Sequence, residues 1–202
     1  ILKIPKDIIN LYYMCGIFGL LECNERLPLS LIQNNFLKGE NRGPESSKLE
    51  YIKQDEINSI LFGFHRLAIN GYNKETSEQP LKKSNCILIC NGEIYNWKEL
   101  SRVCGVKCDS GSDCEIIIHL YKKYGPSETL QLLDGVFAFI LYDLDNDYIF
   151  IARDAFGVRP MFIWNDSENP SKSSIVIASE VKMGYGLTKH SPRSIQTQEP
   201  YI

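Results

Sequence analysis

The chain has 202 residues, 44% of them hydrophobic and 23% charged, with 22 basic against 25 acidic side chains for a net charge of −3. That balance excludes disorder for most of the chain, and it supplies no basic stripe to neutralise a phosphate backbone, so no nucleic-acid partner is expected. The longest apolar runs, such as Val136 to Tyr142, fall far short of the ~20 residues a spanning helix needs, so no membrane partner is expected either. Seven cysteines form an odd set without repeated spacing, which points away from a disulfide framework and toward a reducing, cytoplasmic setting.

Residues 1–14 stand apart. Ile1 is not an initiator and Met14 is the first methionine; ILKIPKDIINLYY lacks arginine, a small-residue cleavage site and a long apolar centre. It reads as an upstream segment or a removed leader rather than a secretory signal. Short apolar, β-branched or aromatic runs then recur at Cys15–Leu21, Ile60–Ala68, Cys86–Cys90, Val136–Tyr142, Tyr148–Ala152, Met161–Trp164 and Ile175–Ala178. Most are bounded by Gly, Asn, Asp or Pro, as strands are. Asp143–Asp147 between two of them predicts a hairpin turn, and Asn165–Ser174 a longer one.

Helices are expected over Leu29–Leu37, over the stretch after Ser112, and over Pro126–Leu133 with its proline in the first turn. Ser112 and Glu115 have capping-box spacing, and Asp113 falls in the expected first turn of that helix. Strands come in adjacent pairs rather than alternating with helices, which predicts antiparallel α+β layers. The domain is expected over residues 15–189, and the polar stretch 190–202 reads as a linker or the start of a further domain.

Four places could hold chemistry. Cys15 follows Met14 and precedes Gly16; removal of the methionine would leave a terminal cysteine whose α-amine (pKa ~8) could take the thiol proton. It is equally a small residue in a buried strand. Asn91-Gly92 ends an apolar run, where an amide side chain and a backbone N–H can aim at one oxygen, or simply make a turn. Arg66 sits among Phe62, Phe64, Leu67 and Ile69, where a guanidinium requires an anion, internal or bound. Arg42-Gly43-Pro44 and the segment Ala152 to Pro160 hold further cations in tight loops. Cys104, Cys108 and Cys114 match no common zinc-ligand spacing, so no metal is assigned. His65 and His119 read as packing or hydrogen-bonding residues.

In order, MCGIFG, NRGPES, FGFHRLAI, EQPL, CNGEIYN, GSDCEIIIHLY, LDGVFAF, ARDAFGVRP and ASEVK resemble the class-II, N-terminal-nucleophile glutamine amidotransferase domain, from Met14 to Lys182. The wording is most similar to the glutaminase half of the asparagine synthetase branch. NRGPE departs from the family's usual His-Arg-Gly-Pro-Asp, at no position given a role. The resemblance implies a four-layer α/β/β/α sandwich of two stacked antiparallel sheets. It implies Cys15 as nucleophile and Asn91 and Gly92 as oxyanion hole. It further implies Arg66, the backbone of Leu67, Ala68, Ile69 and Asn70, and Glu93 and Asp113 as the glutamine pocket. The substrate would be L-glutamine and the product ammonia, delivered to asparagine synthesis by a synthetase domain or separate partner. The ATP-pyrophosphatase signature Ser-Gly-Gly-Leu/Val-Asp-Ser is absent from these residues, so ATP and Mg are expected only of that missing part, and no cofactor of the glutaminase domain. A homodimer is one assembly the family allows. Two alternatives stay open: a silent glutamine-binding regulatory module, and a glutaminase serving another acceptor.

Overall fold

Strands that alternate apolar and polar residues bury one face each, and two such sheets can close on each other. The computed structural model describes residues 14–23, 26–56, 58–67, 77–165 and 174–194. Its first sheet contains β1 (Gly16–Cys23), β2 (Ser46–Gln54), β3 (Asn58–Arg66), β8 (Phe162–Asn165), β9 (Ile175–Ala178) and β10 (Arg193–Ser194), in the order β10-β8-β9-β1-β3-β2. The second contains β4 (Leu81–Lys83), β5 (Cys86–Ile94), β6 (Gly135–Asp143) and β7 (Tyr148–Arg153), in that order. Neighbouring strands pair antiparallel throughout both sheets.

Three apolar layers hold this stack together. Between the sheets, Ile17, Phe62 and Phe64 pack with Ile87, Ile89, Ile140 and Ile151. On the outer face of the first sheet, Phe18, Leu20 and Trp164 meet Ile32 and Phe36 of α1 (Leu29–Leu37) and Met183 of α5 (Val181–Gly184). On the outer face of the second, Leu88, Phe139 and Phe150 meet Leu100 of α2 (Trp97–Cys104) and Ile116, Ile117 and Leu120 of α3 (Glu115–Tyr124), with Leu130 of α4 (Pro126–Leu132) alongside. The architecture is the expected α/β/β/α sandwich.

Seven apolar runs became strands, and α1 and α4 lie where the pattern put them, α4 one residue shorter. The 166–173 part of the second expected turn lies outside the described residues. The capping box is corrected. The helix begins at Glu115, and the Ser112 hydroxyl accepts the Cys114 N–H at 3.3 Å rather than capping at Glu115. Glu115 turns away to accept the Ser110 N–H at 2.7 Å. Asp113 therefore precedes the helix, and its carboxylate serves another strand. Sequence reasoning missed β2, whose SSKLEYIKQ is largely exposed on a sheet edge and shows no clean alternation. It also missed α2, an eight-residue helix closed by Gly105 in the left-handed conformation at φ 66°.

Ile140 is fully buried at the centre of the inter-sheet layer, its Cδ1 reaching into the space left by the absent side chain of Gly19 on β1. Ile140→Ala is expected to cost about 2–5 kcal/mol of folding stability, read as a lowered denaturant midpoint with an unchanged m-value.

Candidate active site

Cys15 lies immediately before β1, at the end of the sheet where Gly16 pairs with His65 of β3. Its thiol donates to the Leu67 carbonyl at 3.2 Å, and the Leu67 N–H donates to its sulfur at 3.3 Å. Its carbonyl accepts the Arg42 Nε–H at 3.0 Å, and Arg42 reaches Glu180 at 3.3 Å. The tight loop behind this anchor needs Gly43, because a Cβ there would stand 2.3 Å from the His65 backbone. Burial pushes the Cys15 thiol up from its ordinary value; the Leu67 amide and the guanidinium groups of Arg159 and Arg42 pull the other way. His65 is held by the Phe36 carbonyl and Ser47, and burial lowers its pKa, so it is a packing residue as expected.

The other half of the site comes from the second sheet. In an antiparallel strand the N–H groups of alternate residues point to the same edge. On β5, Leu88 faces Leu81 of β4, the Cys90 N–H donates to the Gln79 side chain at 2.5 Å, and the Ile94 N–H donates to Asp113 Oδ2 at 2.6 Å. Gly92 lies between these points and opposite Phe137 of β6, whose own N–H and carbonyl bond to Asp154 on the far side. The Gly92 amide therefore points to the open edge of β5 and into the cleft. Beside it, Asn91 is only 2% exposed and its Nδ2 is buried with no hydrogen-bond partner among the described residues. A buried donor lining a cleft is available to an acceptor outside the described residues.

One cleft, about 570 Å³ with its open mouth, brings Cys15, Arg66, Leu67, Asn91, Gly92, Glu93 and Asp113 together. Arg66 ends β3, donates to Ser77 Oγ at 3.2 Å and lies 3.9 Å from Glu78. Asp113 has one oxygen on the Ile94 amide; burial, then the neighbouring Glu93 charge, push its carboxyl up against the pull of that amide. Ala68, Ile69 and Asn70 lie outside the described residues.

The cleft also contains Ser77, Gln79, Cys114 and Arg159, to which sequence reasoning gave no role. For Gln79 the only signal was the EQPL motif, and for Arg159 a cation in a tight loop. Asp154 shapes that loop by accepting the amides of Phe156, Val158 and Arg159 at 2.9–3.2 Å, and it brings the Arg159 guanidinium against the Met14 sulfur. Away from the cleft, Cys108, Glu115 and His119 place ligand-type atoms within 4.8 Å of one another. Glu115 there is already engaged by the Lys83 ammonium, the Ser110 N–H and His119, which hold its carboxyl down at about 2. Cys104 and Cys114 take no part in that cluster.

The family model of the glutamine amidotransferase domain matches residues 14–198. The glutamine-hydrolysing asparagine synthetase of Gallus gallus is 37% identical over 193 residues, and those of Bos taurus and Homo sapiens are 36% and 35% identical over 192. Each alignment covers 94% of this chain but only 32% of the relative, so the chain spans about a third of the length of the proteins it matches. With Cys15 facing Asn91 and Gly92 across one cleft, and with that match over nearly its whole length, the chain belongs to the glutamine amidotransferase domain family.

Proposed function

We propose that the domain hydrolyses L-glutamine through a Cys15 thioester and supplies the ammonia to asparagine synthesis, carried out in the remainder of a longer protein or by a partner. The observation that carries the reading is the convergence in one cleft of Cys15, the Gly92 N–H and an Asn91 amide that has no partner among the described residues. The substrate is a zwitterion with a neutral amide. Arg66 would take its α-carboxylate, and Glu93 with the second Asp113 oxygen its α-ammonium. The Leu67 backbone, already paired with the thiol, would fix the line of attack, with Ala68, Ile69 and Asn70 continuing the pocket wall.

The chemistry needs a base, and Cys15 has its own once its nitrogen is free. The α-amine takes the thiol proton, and the thiolate adds to the amide carbon. Asn91 Nδ2 and the Gly92 N–H hold the resulting oxyanion. Collapse expels ammonia, protonated by the α-ammonium, and leaves a γ-glutamyl thioester. Water, deprotonated by the same amine, then attacks the thioester, and glutamate leaves with the thiol restored. Every group in this sequence belongs to the chain, so the glutaminase step calls for no cofactor; ATP and Mg belong to the synthetase reaction elsewhere.

The second reading, a silent binding module, is favoured by one observation: Met14 lies in the cleft. While Met14 is attached, the Cys15 nitrogen is an amide and cannot accept a proton near neutrality. The two readings therefore separate on processing.

Three outcomes are expected. Cys15→Ala and Cys15→Ser abolish glutaminase activity while the circular-dichroism spectrum is retained, and diazo-oxo-norleucine labels Cys15 alone; labelling at Cys90 or Cys114 refutes the assignment. Protein starting at Cys15 hydrolyses glutamine whereas the 202-residue chain does not, with intact mass establishing the terminus. Equal rates would mean that the amine is not the base. Finally, Arg66→Ala chiefly raises KM, because its contact is equal in ground and transition states, whereas Asn91→Ala chiefly lowers kcat, by about 10²–10³. Steady-state kinetics decide this, and the reverse pattern would exchange the binding and catalytic sides of the pocket.

A further inference from the structure

We propose that Gln79 is a positioning residue for the oxyanion hole, its carboxamide replacing the strand backbone that would otherwise run beside Asn91 and Gly92. The inference rests on the glutaminase reading and assigns it a further residue. Strand β4 pairs with β5 in the register Leu81↔Leu88, Lys82↔Ile87 and Lys83↔Cys86. Continued two residues further, that register sets Gln79 opposite Cys90. There the main-chain ladder stops and the side chain takes over. Gln79 Nε2 donates to the Cys90 carbonyl at 2.9 Å, and Gln79 Oε1 accepts the Cys90 N–H at 2.5 Å. These two bonds are the pair that a hydrogen-bonded neighbour on an adjacent strand would make. The side chain is buried, with the residue 7% exposed, and it lines the cleft.

The substitution has a consequence for the next amide on that edge. Were β4 to continue as backbone past Cys90, it would run alongside Gly92 and take its N–H into the ladder. A side chain reaches Cys90 and goes no further. The edge is closed again at Ile94, by Asp113. Gly92 thus lies between two side-chain caps two residues away on either side, a separation of roughly 6.6 Å per interval at strand rise. Its amide is aimed by bonds on both flanks and remains available. Asn91 follows Cys90 directly, so the bonds that fix the Cys90 peptide also set the direction in which the Asn91 side chain leaves the strand. Donor placement matters steeply here: a displacement of about 1 Å can cost on the order of 10²-fold in rate.

The test uses protein that starts at Cys15, with Gln79→Met, which keeps bulk and removes both polar groups, and Gln79→Glu, which keeps the acceptor for the Cys90 N–H but sets an oxygen against the Cys90 carbonyl. The expected result is a fall in kcat of about 10- to 100-fold in both variants, with KM for glutamine within about threefold of the parent. Inhibition by L-glutamate γ-semialdehyde, whose adduct with the thiol carries an oxyanion in the same place, weakens in parallel with kcat. A role in folding alone would lower the thermal midpoint without moving the semialdehyde affinity of the folded fraction. If Gln79→Met does not fold, Gln79→Glu, close in size and shape, decides. Unchanged kcat in the folded variant, or a rise in KM with semialdehyde inhibition unaffected, overturns the inference. A parent without glutaminase activity overturns the functional reading and this inference with it; an active parent with indifferent variants overturns this inference alone.

Discussion

A backbone amide on the edge of a buried strand must find an acceptor, and the structure of the cleft follows from how β5 meets that requirement. Four successive edge positions receive four different treatments: β4 backbone at Leu88, the Gln79 carboxamide at Cys90, the open cleft at Gly92, and the Asp113 carboxylate at Ile94. Of these four amides, the one at Gly92 faces the cleft and has no partner among the described residues. Leaving a buried donor without a partner costs about 1–3 kcal/mol, and among the described residues the Asn91 side chain is such a donor, beside the half-buried Gly92.

The proposed nucleophile and the proposed oxyanion donors sit on different sheets. Cys15 precedes β1 in one, and Asn91 lies on β5 in the other, so their relative position is set by the packing of Ile17, Phe64, Ile89 and Ile140 between them. Close-packed cores transmit displacements rather than absorbing them. The inter-sheet layer is thus part of the active-site geometry even though none of its side chains carries a reactive group. Gly19 illustrates the fit: a Cβ there would stand 2.6 Å from Ile140 Cδ1.

Charge is divided across the same cleft. Arg42 and Arg159 lie near Cys15, whereas Glu93 and Asp113 lie together near the end of β5. The cations favour the Cys15 thiolate. The carboxylates, unfavourable to each other, are suited to an ammonium between them. Asp113 has two tasks at once, holding the Ile94 amide with one oxygen and facing the cleft region with its pocket-lining side. Its place before the helix, rather than in the first turn, makes this double use possible.

Much of this was legible in the chain itself. Seven of the ten strands announced themselves because buried strands need apolar, β-branched residues. Cys15, Arg66 and Asn91-Gly92 stood out because each is chemically conspicuous in its local setting. Residues whose role depends on a partner far along the chain were not legible in that way. Gln79 is an ordinary polar residue until Cys90 is placed opposite it; Asp113 resembles a helix-start carboxylate until Ile94 arrives; Ser112 and Glu115 share a spacing that the fold spends on other partners. The sequence by itself determined the strand-rich α+β class and the family, and it singled out the candidate groups. Which amide of the β5 edge faces the cleft was decided only by the tertiary structure, because hydrogen-bond satisfaction is a property of pairs, and those pairs form only when the two sheets and their edges are in place.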